Sequence, residues 1–222
     1  MKKLYACSQT RGSEAAGLTV VNGETIDVLK QAGSVQRFLG SEAFHGLMER
    51  AQTQYDKNRA GASPIVLAMT GHTRLVTNGF QSNEDNNQPV IANGTVGIHN
   101  GIIVNDAELW SRFPAATKKS DVDTEVLVNI LRKHFDEKSD LAWATQQAYR
   151  EIKGAASIAF VFDKLDDLLL ATNTGSLHYV VNERGTFFAF ASERFILASL
   201  VDQLDLARTT GPLRIEQLPA GR

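Results

Sequence analysis

Cysteine is nearly absent from this chain: Cys7 is the only one among 222 residues. A single thiol rules out an internal disulfide framework and suits a reducing compartment, so a cytoplasmic location is expected. An excess of charge of either sign is also lacking. Lys and Arg total 23 against 25 Asp and Glu, a formal net charge of −2, which leaves no electrostatic footprint for nucleic acid or an anionic membrane. Long apolar runs are missing. The longest, such as 155–162, fall far short of the roughly 20 residues that cross a bilayer. The opening Met-Lys-Lys-Leu-Tyr-Ala-Cys-Ser-Gln lacks the apolar core of a signal peptide. Five scattered histidines and no cysteine pair give no zinc spacing, and neither a P-loop nor a dinucleotide fingerprint occurs. The expectation is therefore no metal, no cofactor, no nucleic acid and no membrane.

What is present is a globular composition. With 43% hydrophobic residues in 222 the chain can bury a full core, and one domain over 1–222 is expected. Residues 2–10 read as the end of a helix. Apolar stretches 18–21 and 25–29 flank Asn22-Gly23, a strong hairpin signal. Positions 41–55 carry the 3.6-residue pattern of an amphipathic helix, with Ser41 as its N-cap and Phe44, Leu47, Met48 and Ala51 on one face. A polar loop at 57–63 leads into a strand at 64–70, and a second apolar approach over 90–98 ends abruptly at His99-Asn100-Gly101. The asparagine-rich segment 80–89 reads as a loop. Helices are predicted over 106–113, 124–135, 140–152 and 193–201, and strands over 157–162, 168–172, 178–181, 186–191 and 213–218. Strands, then helices, then strands point to segregated helices and antiparallel sheets.

Two segments hold the chemistry: 71–79, with its arginine, and 97–103. Strands that bring a guanidinium, a side-chain amide and glycine-flanked N–H groups to one edge suit a carboxylate and an oxyanion. Plainer readings stand beside this one. Arg74 alone could be a salt-bridged surface arginine, Asn100-Gly101 a hairpin turn, and Asp123 the N-cap of the helix that follows. His72 and His99 read as hydrogen-bonded structural histidines, and Cys7 as a small hydrophobe in a helix.

His72-Thr73-Arg74, His99-Asn100-Gly101 and Asp123-Thr124-Glu125, in this order and at this separation, resemble the class II glutamine amidotransferase domain. The run Arg11-Gly12-Ser13-Glu14-Ala15-Ala16-Gly17 resembles that family's segment near its start. Thr174-Gly175-Ser176 and Ala191-Ser192-Glu193 follow in the expected order. The pattern is nearer the glucosamine-6-phosphate synthase and amidophosphoribosyltransferase branches than asparagine synthetases. The resemblance implies an α+β, four-layer αββα sandwich of two antiparallel sheets, the N-terminal-nucleophile hydrolase fold, here N-terminally incomplete. It implies that Arg74 binds the glutamine α-carboxylate with Thr77 and Asn78, and that Asp123 holds the α-ammonium. Asn100 and the Gly101 N–H would form the oxyanion hole. It further implies hydrolysis of glutamine to glutamate and delivery of ammonia to a fused or separate synthetase or transferase. The family's nucleophile is an N-terminal cysteine that begins a strand. Cys7 lies four residues before Arg11, too few for a strand and a helix, so the nucleophile is expected to be absent and the chain inactive as given. The alternatives are a non-catalytic binding module of the same fold, and an amidase processed at Cys7.

Overall fold

The computed structural model describes residues 1–8, 12–23, 25–59, 67–75, 80 and 82–221. The chain forms two compact units, residues 1–90 with 120–122, and residues 91–119 with 123–222.

In the first unit, helix α1 (Lys2–Ser8) precedes a long hairpin, β1 (Ala15–Asn22) and β2 (Thr25–Ala32). The turn is the one Asn22-Gly23 signalled, with Gly23 at φ +63°, where a Cβ would be strained. Two helices follow, α2 (Val35–Leu39), which the sequence reading missed, and α3 (Glu42–Arg59). The Ser41 hydroxyl accepts from the Phe44 N–H at 3.2 Å, the expected N-cap. Helix α3 runs to Arg59, through the start of the polar segment assigned to a loop at 57–63, because polar Asp, Lys, Asn and Arg are tolerated in a helix as well as in a loop; residues 60–66 lie outside the described ones. Strand β3 (Leu67–Arg74) pairs antiparallel with β1, giving the order β2-β1-β3. It is longer than the strand predicted for 64–70, so Gly71, His72, Thr73 and Arg74 sit in the ladder.

Tyr5, Leu18, Val20, Phe38, Phe44, Leu47 and Ala51 form this unit's core. Tyr5, Phe38 and Phe44 make a chain of rings with centroids 5.6 and 5.3 Å apart. Each such fully buried side chain contributes about 1.5–3 kcal/mol. Tyr5 donates its hydroxyl to the Gly17 carbonyl and lies over Gly71, where a Cβ would come within 2.8 Å of the phenol oxygen. Those two glycines seat α1 on the sheet.

The second unit begins at Ile91, within β4 (Val90–Ala92), and β4 and β5 (Thr95–Ile103) are joined at Asn93-Gly94, with φ +47° and +69°. The single approach expected over 90–98 is thus a hairpin, for Asn-Gly supplies both positive φ values that a two-residue turn demands. Nor does β5 end at His99-Asn100-Gly101, which continue the ladder to Ile103. After α4 (Asp106–Trp110) come α5 (Thr124–Lys138) and α6 (Leu141–Glu151), then β6 (Gly154–Phe162) and β7 (Leu165–Thr172). The Asp140 carboxylate caps α6 by accepting from the Trp143 N–H at 2.9 Å. The sheet order is β4-β5-β6-β7. Helices α5 and α6 cover it with Val126, Leu127, Ile130, Leu131 and Ala148 against Ile158, Phe160 and Phe162. A third sheet, β10-β8-β9, contains β8 (His178–Asn182), β9 (Phe188–Ala191) and β10 (Leu213–Gln217). Helix α7 (Arg194–Gln203) and the unforeseen α8 (Leu206–Thr210) fall between β9 and β10 in sequence. The Asn182 side chain accepts from the N–H groups of Thr186 and Phe187, both at 2.9 Å, and so fixes the β8–β9 turn.

The registered pairings are all antiparallel, and the helices are segregated from the strands as the expected α+β class requires.

Candidate active site

In the first unit Arg74 closes β3 opposite Ala15. Its carbonyl accepts from the Glu14 N–H at 3.2 Å. Gly12 lies so close behind that a Cβ there would come within 2.3 Å of the Arg74 carbonyl carbon. Arg74 is only 4% exposed, and its guanidinium donates through Nη1 to the Asn87 side-chain oxygen at 2.8 Å. Burial lowers its pKa and the Glu14 charge partly restores it; arginine retains its proton in proteins regardless. Asn86 and Asp121 are tied reciprocally: the Asn86 amide donates to the Asp121 carboxylate at 3.1 Å, and the Asp121 N–H donates to Asn86 Oδ1 at 2.7 Å. Behind this segment Gly17 leaves room for the Gln88 carbonyl, which a Cβ would approach to 2.0 Å. Thr77 and Asn78 lie outside the described residues, as does Arg11.

In the second unit Asn100 and Gly101 are exposed on β5, paired with Ser157 and Ala156 of β6. Gly101 has φ +147° and faces the Ala155 carbonyl oxygen, which a Cβ would approach to 2.0 Å. Bare backbone is therefore obligatory here for steric reasons. The hairpin-turn reading of Asn100-Gly101 is corrected, since the bond pattern is that of a strand with one distorted residue.

Asp123 stands at the N-cap position of α5 but makes no side-chain cap bond. Its Oδ2 accepts from the Ile103 N–H at 2.6 Å, and its Oδ1 lies 3.4 Å from His99 Nδ1. The helix-cap reading is thus replaced by a link across to β5. Burial pushes the carboxyl up, but hydrogen bonding and charge from His99, with the Ile103 N–H, outweigh it and hold the group below the usual carboxylate range. A carboxylate ionised and fixed in this way can receive an ammonium group. Glu125, 2% exposed, accepts the Lys119 N–H with both oxygens, at 3.0 and 3.2 Å, and ties down the preceding loop.

Sequence reasoning missed Asn87 as a partner of Arg74, the bridging position of His99, and the loop clamp of Glu125. Asn87 lies in the asparagine-rich segment 80–89, and nothing in that run names its partner. Among the described residues no group of three or more His, Cys, Asp and Glu side chains could hold a metal, and no helix is long and apolar enough to cross a membrane.

A family model described as a glutamine amidotransferase domain matches residues 72–199, more than half of the chain. The chain belongs to the glutamine amidotransferase domain family. Its relatives include the isomerizing glutamine–fructose-6-phosphate aminotransferase of Thermococcus kodakarensis, 28% identical over 183 residues that cover 81% of this chain and 27% of that protein. The enzyme of the same name from Francisella tularensis is 29% identical over 179 residues, 79% of this chain and 26% of that one. This amidotransferase chain spans about a quarter of the length of the curated relatives it matches. Among solved structures, the glutamine phosphoribosylpyrophosphate amidotransferase of B. subtilis, complexed with ADP and GMP, superposes with a TM-score of 0.63 at 20% identity, over 90% of this chain and 40% of that one. A second solved structure, the allosteric regulatory enzyme of purine biosynthesis, gives 0.62 with the same identity and coverage. The family and the fold are those of class II amidotransferases of the glucosamine-6-phosphate synthase and amidophosphoribosyltransferase type, as the motifs indicated.

Proposed function

We propose that this amidotransferase domain binds glutamine, and that the chemistry it serves is hydrolysis to glutamate with delivery of ammonia to a synthetase or transferase, fused or separate. Both units belong to that one domain, and the cytoplasm is its compartment. Arg74 takes the α-carboxylate, aided by Thr77 and Asn78. Asp123 takes the α-ammonium, and Asn100 with the Gly101 N–H receives the charge that develops on the amide oxygen. The observation that carries the reading is in the second unit. An exposed Asn-Gly pair sits on the same strand as His99, whose ring lies against the buried, ionised Asp123. That arrangement supports an amino-acid site better than a general anion site, for which a buried carboxylate would be repulsive.

Cys7 is not the nucleophile of this chemistry. It follows Ala6 in the last turn of α1, so its nitrogen is a peptide amide and not a free amine that could serve as base. No metal or cofactor enters the proposed reaction.

Calorimetric titration of glutamine into the protein tests the site. Binding is expected, and Arg74→Ala should weaken it roughly thirtyfold or more, the usual scale for removing one partner of a buried charge pair. Unmeasurable binding to the unaltered protein, or an unchanged Kd in Arg74→Ala, would overturn the proposal.

A further inference from the structure

The His99 imidazole lies within the second unit between the two groups just assigned to the ammonium and the oxyanion. It is 3% exposed. Nε2 lies 3.3 Å from the Ala155 carbonyl oxygen, and Nδ1 lies 3.3 Å from the Thr124 hydroxyl and 3.4 Å from Asp123 Oδ1. A carbonyl cannot donate, so Nε2 carries the proton toward Ala155. Nδ1 is then the edge that faces helix α5, where the Asp123 carboxylate oxygen can only accept. The same ring lies beneath Gly101, where a Cβ would come within 2.9 Å of Nε2, and the oxygen that Nε2 engages is the one that forbids a side chain at Gly101.

We infer that His99 is a positioning residue for glutamine. Its Nδ1 edge sets the Asp123 carboxylate for the substrate ammonium, while its Nε2 edge fixes the β6 carbonyl against which Gly101 is shaped. Ile103 N–H holds only Oδ2 of Asp123. The His99 ring faces the other oxygen and restrains rotation of the carboxylate about its last bond. The inference rests on the proposed glutamine site and adds a residue to it that contacts no substrate atom.

The two edges can be separated by substitution. His99→Asn keeps a donor near the Nδ1 position and loses the reach to Ala155. His99→Gln keeps a donor near Nε2 and loses Asp123. The probes are glutamine and 4-carbamoylbutanoate, which is glutamine without its α-amino group. His99→Gln should bind glutamine about tenfold or more weakly, the scale of a lost hydrogen bond to a charged group, while its affinity for the deamino analogue changes less than about twofold on the same scale. His99→Asn should keep the preference for glutamine. Equal losses for both ligands in His99→Gln would show a merely structural histidine and overturn the inference. A readout independent of variant folding is the ¹⁵N resonance of His99 Nδ1 in the unaltered protein. It should move on adding glutamine and stay in place with the analogue; a resonance indifferent to both, in protein that binds glutamine, sinks the inference. Failure of glutamine to bind at all would strike the proposed function instead.

Discussion

The Arg74 guanidinium is held by a neutral partner: its Nη1 donates to Asn87 Oδ1 across 2.8 Å, with both side chains buried. An amide satisfies this donor without adding a negative charge of its own beside the guanidinium. Asn87→Asp, equal in size and opposite in effect, should preserve the fold and lower glutamine affinity by about tenfold or more, since the introduced charge competes for the same guanidinium. Asn87→Ala should lower stability by about 1–3 kcal/mol, the cost of an unsatisfied buried donor. Calorimetric titration and urea denaturation separate the two effects. Unchanged affinity in Asn87→Asp would show that this neighbour does not tune Arg74.

Gly101 admits no side chain. With φ at +147° and a Cβ only 2.0 Å from the Ala155 oxygen, Gly101→Ala must shift β5 away from β6. A loss of about 1–3 kcal/mol from backbone strain alone is expected, read as a lower denaturation midpoint. Gly185, with positive φ but nothing within 4 Å of its Cβ position, is the control, and Gly185→Ala should cost less. Equal costs at both positions would mean that φ, not the carbonyl, governs Gly101.

Asp123 gives the fold an acid limb. Its carboxyl lies lower in the folded state than in the unfolded chain, so its contribution is fully present above the unfolded value of about 4 and is lost as pH falls through the lower folded value. Asp123→Asn should therefore be less stable than the unaltered protein at neutral pH, and the two should converge as pH drops below roughly 4. Denaturation midpoints collected from pH 3 to 7 would show it; parallel curves would refute the coupling.

Catalysis, wherever ammonia release from this protein is observed, should depend on Asn100 and not on Cys7. Asn100→Ala is expected to cut turnover by about 10²–10³ with glutamine affinity little altered, as loss of an oxyanion donor does. Cys7→Ser should leave the rate where it was. Coupled glutamate and ammonia assays decide both, and a rate abolished by Cys7→Ser would refute the exclusion of that thiol.

Much of this was legible in the residues. The period of Val126, Leu127, Ile130 and Leu131 marked α5 and its buried face, and Asn22-Gly23 marked the first hairpin. Asn93-Gly94 carries the same signal, but the apolar residues on both sides merged into one run and hid it. Helix α2 was missed because five residues hold barely one amphipathic turn. The motifs named Arg74, Asn100, Gly101 and Asp123 as candidates. Their partners were not legible, because the bonds of Arg74 to Asn87 and of Asp123 to Ile103 join positions 13 and 20 residues apart through folded geometry alone. His99 was read as structural, and only its two-sided placement suggests more.

The beginning of α5 carries a further consequence. Asp123, Thr124 and Glu125 are consecutive, yet they reach Ile103 with His99, His99 alone, and the Lys119 backbone respectively. Three neighbouring positions are thus fastened in different directions, which restrains rotation and sliding of the helix start. The same rigid rod carries Leu127 and Leu131 into the hydrophobic core. Core packing and the proposed ammonium subsite are thus mounted on a single spindle, so a cavity opened at Leu131, about two turns from Asp123, would be felt there as lost alignment.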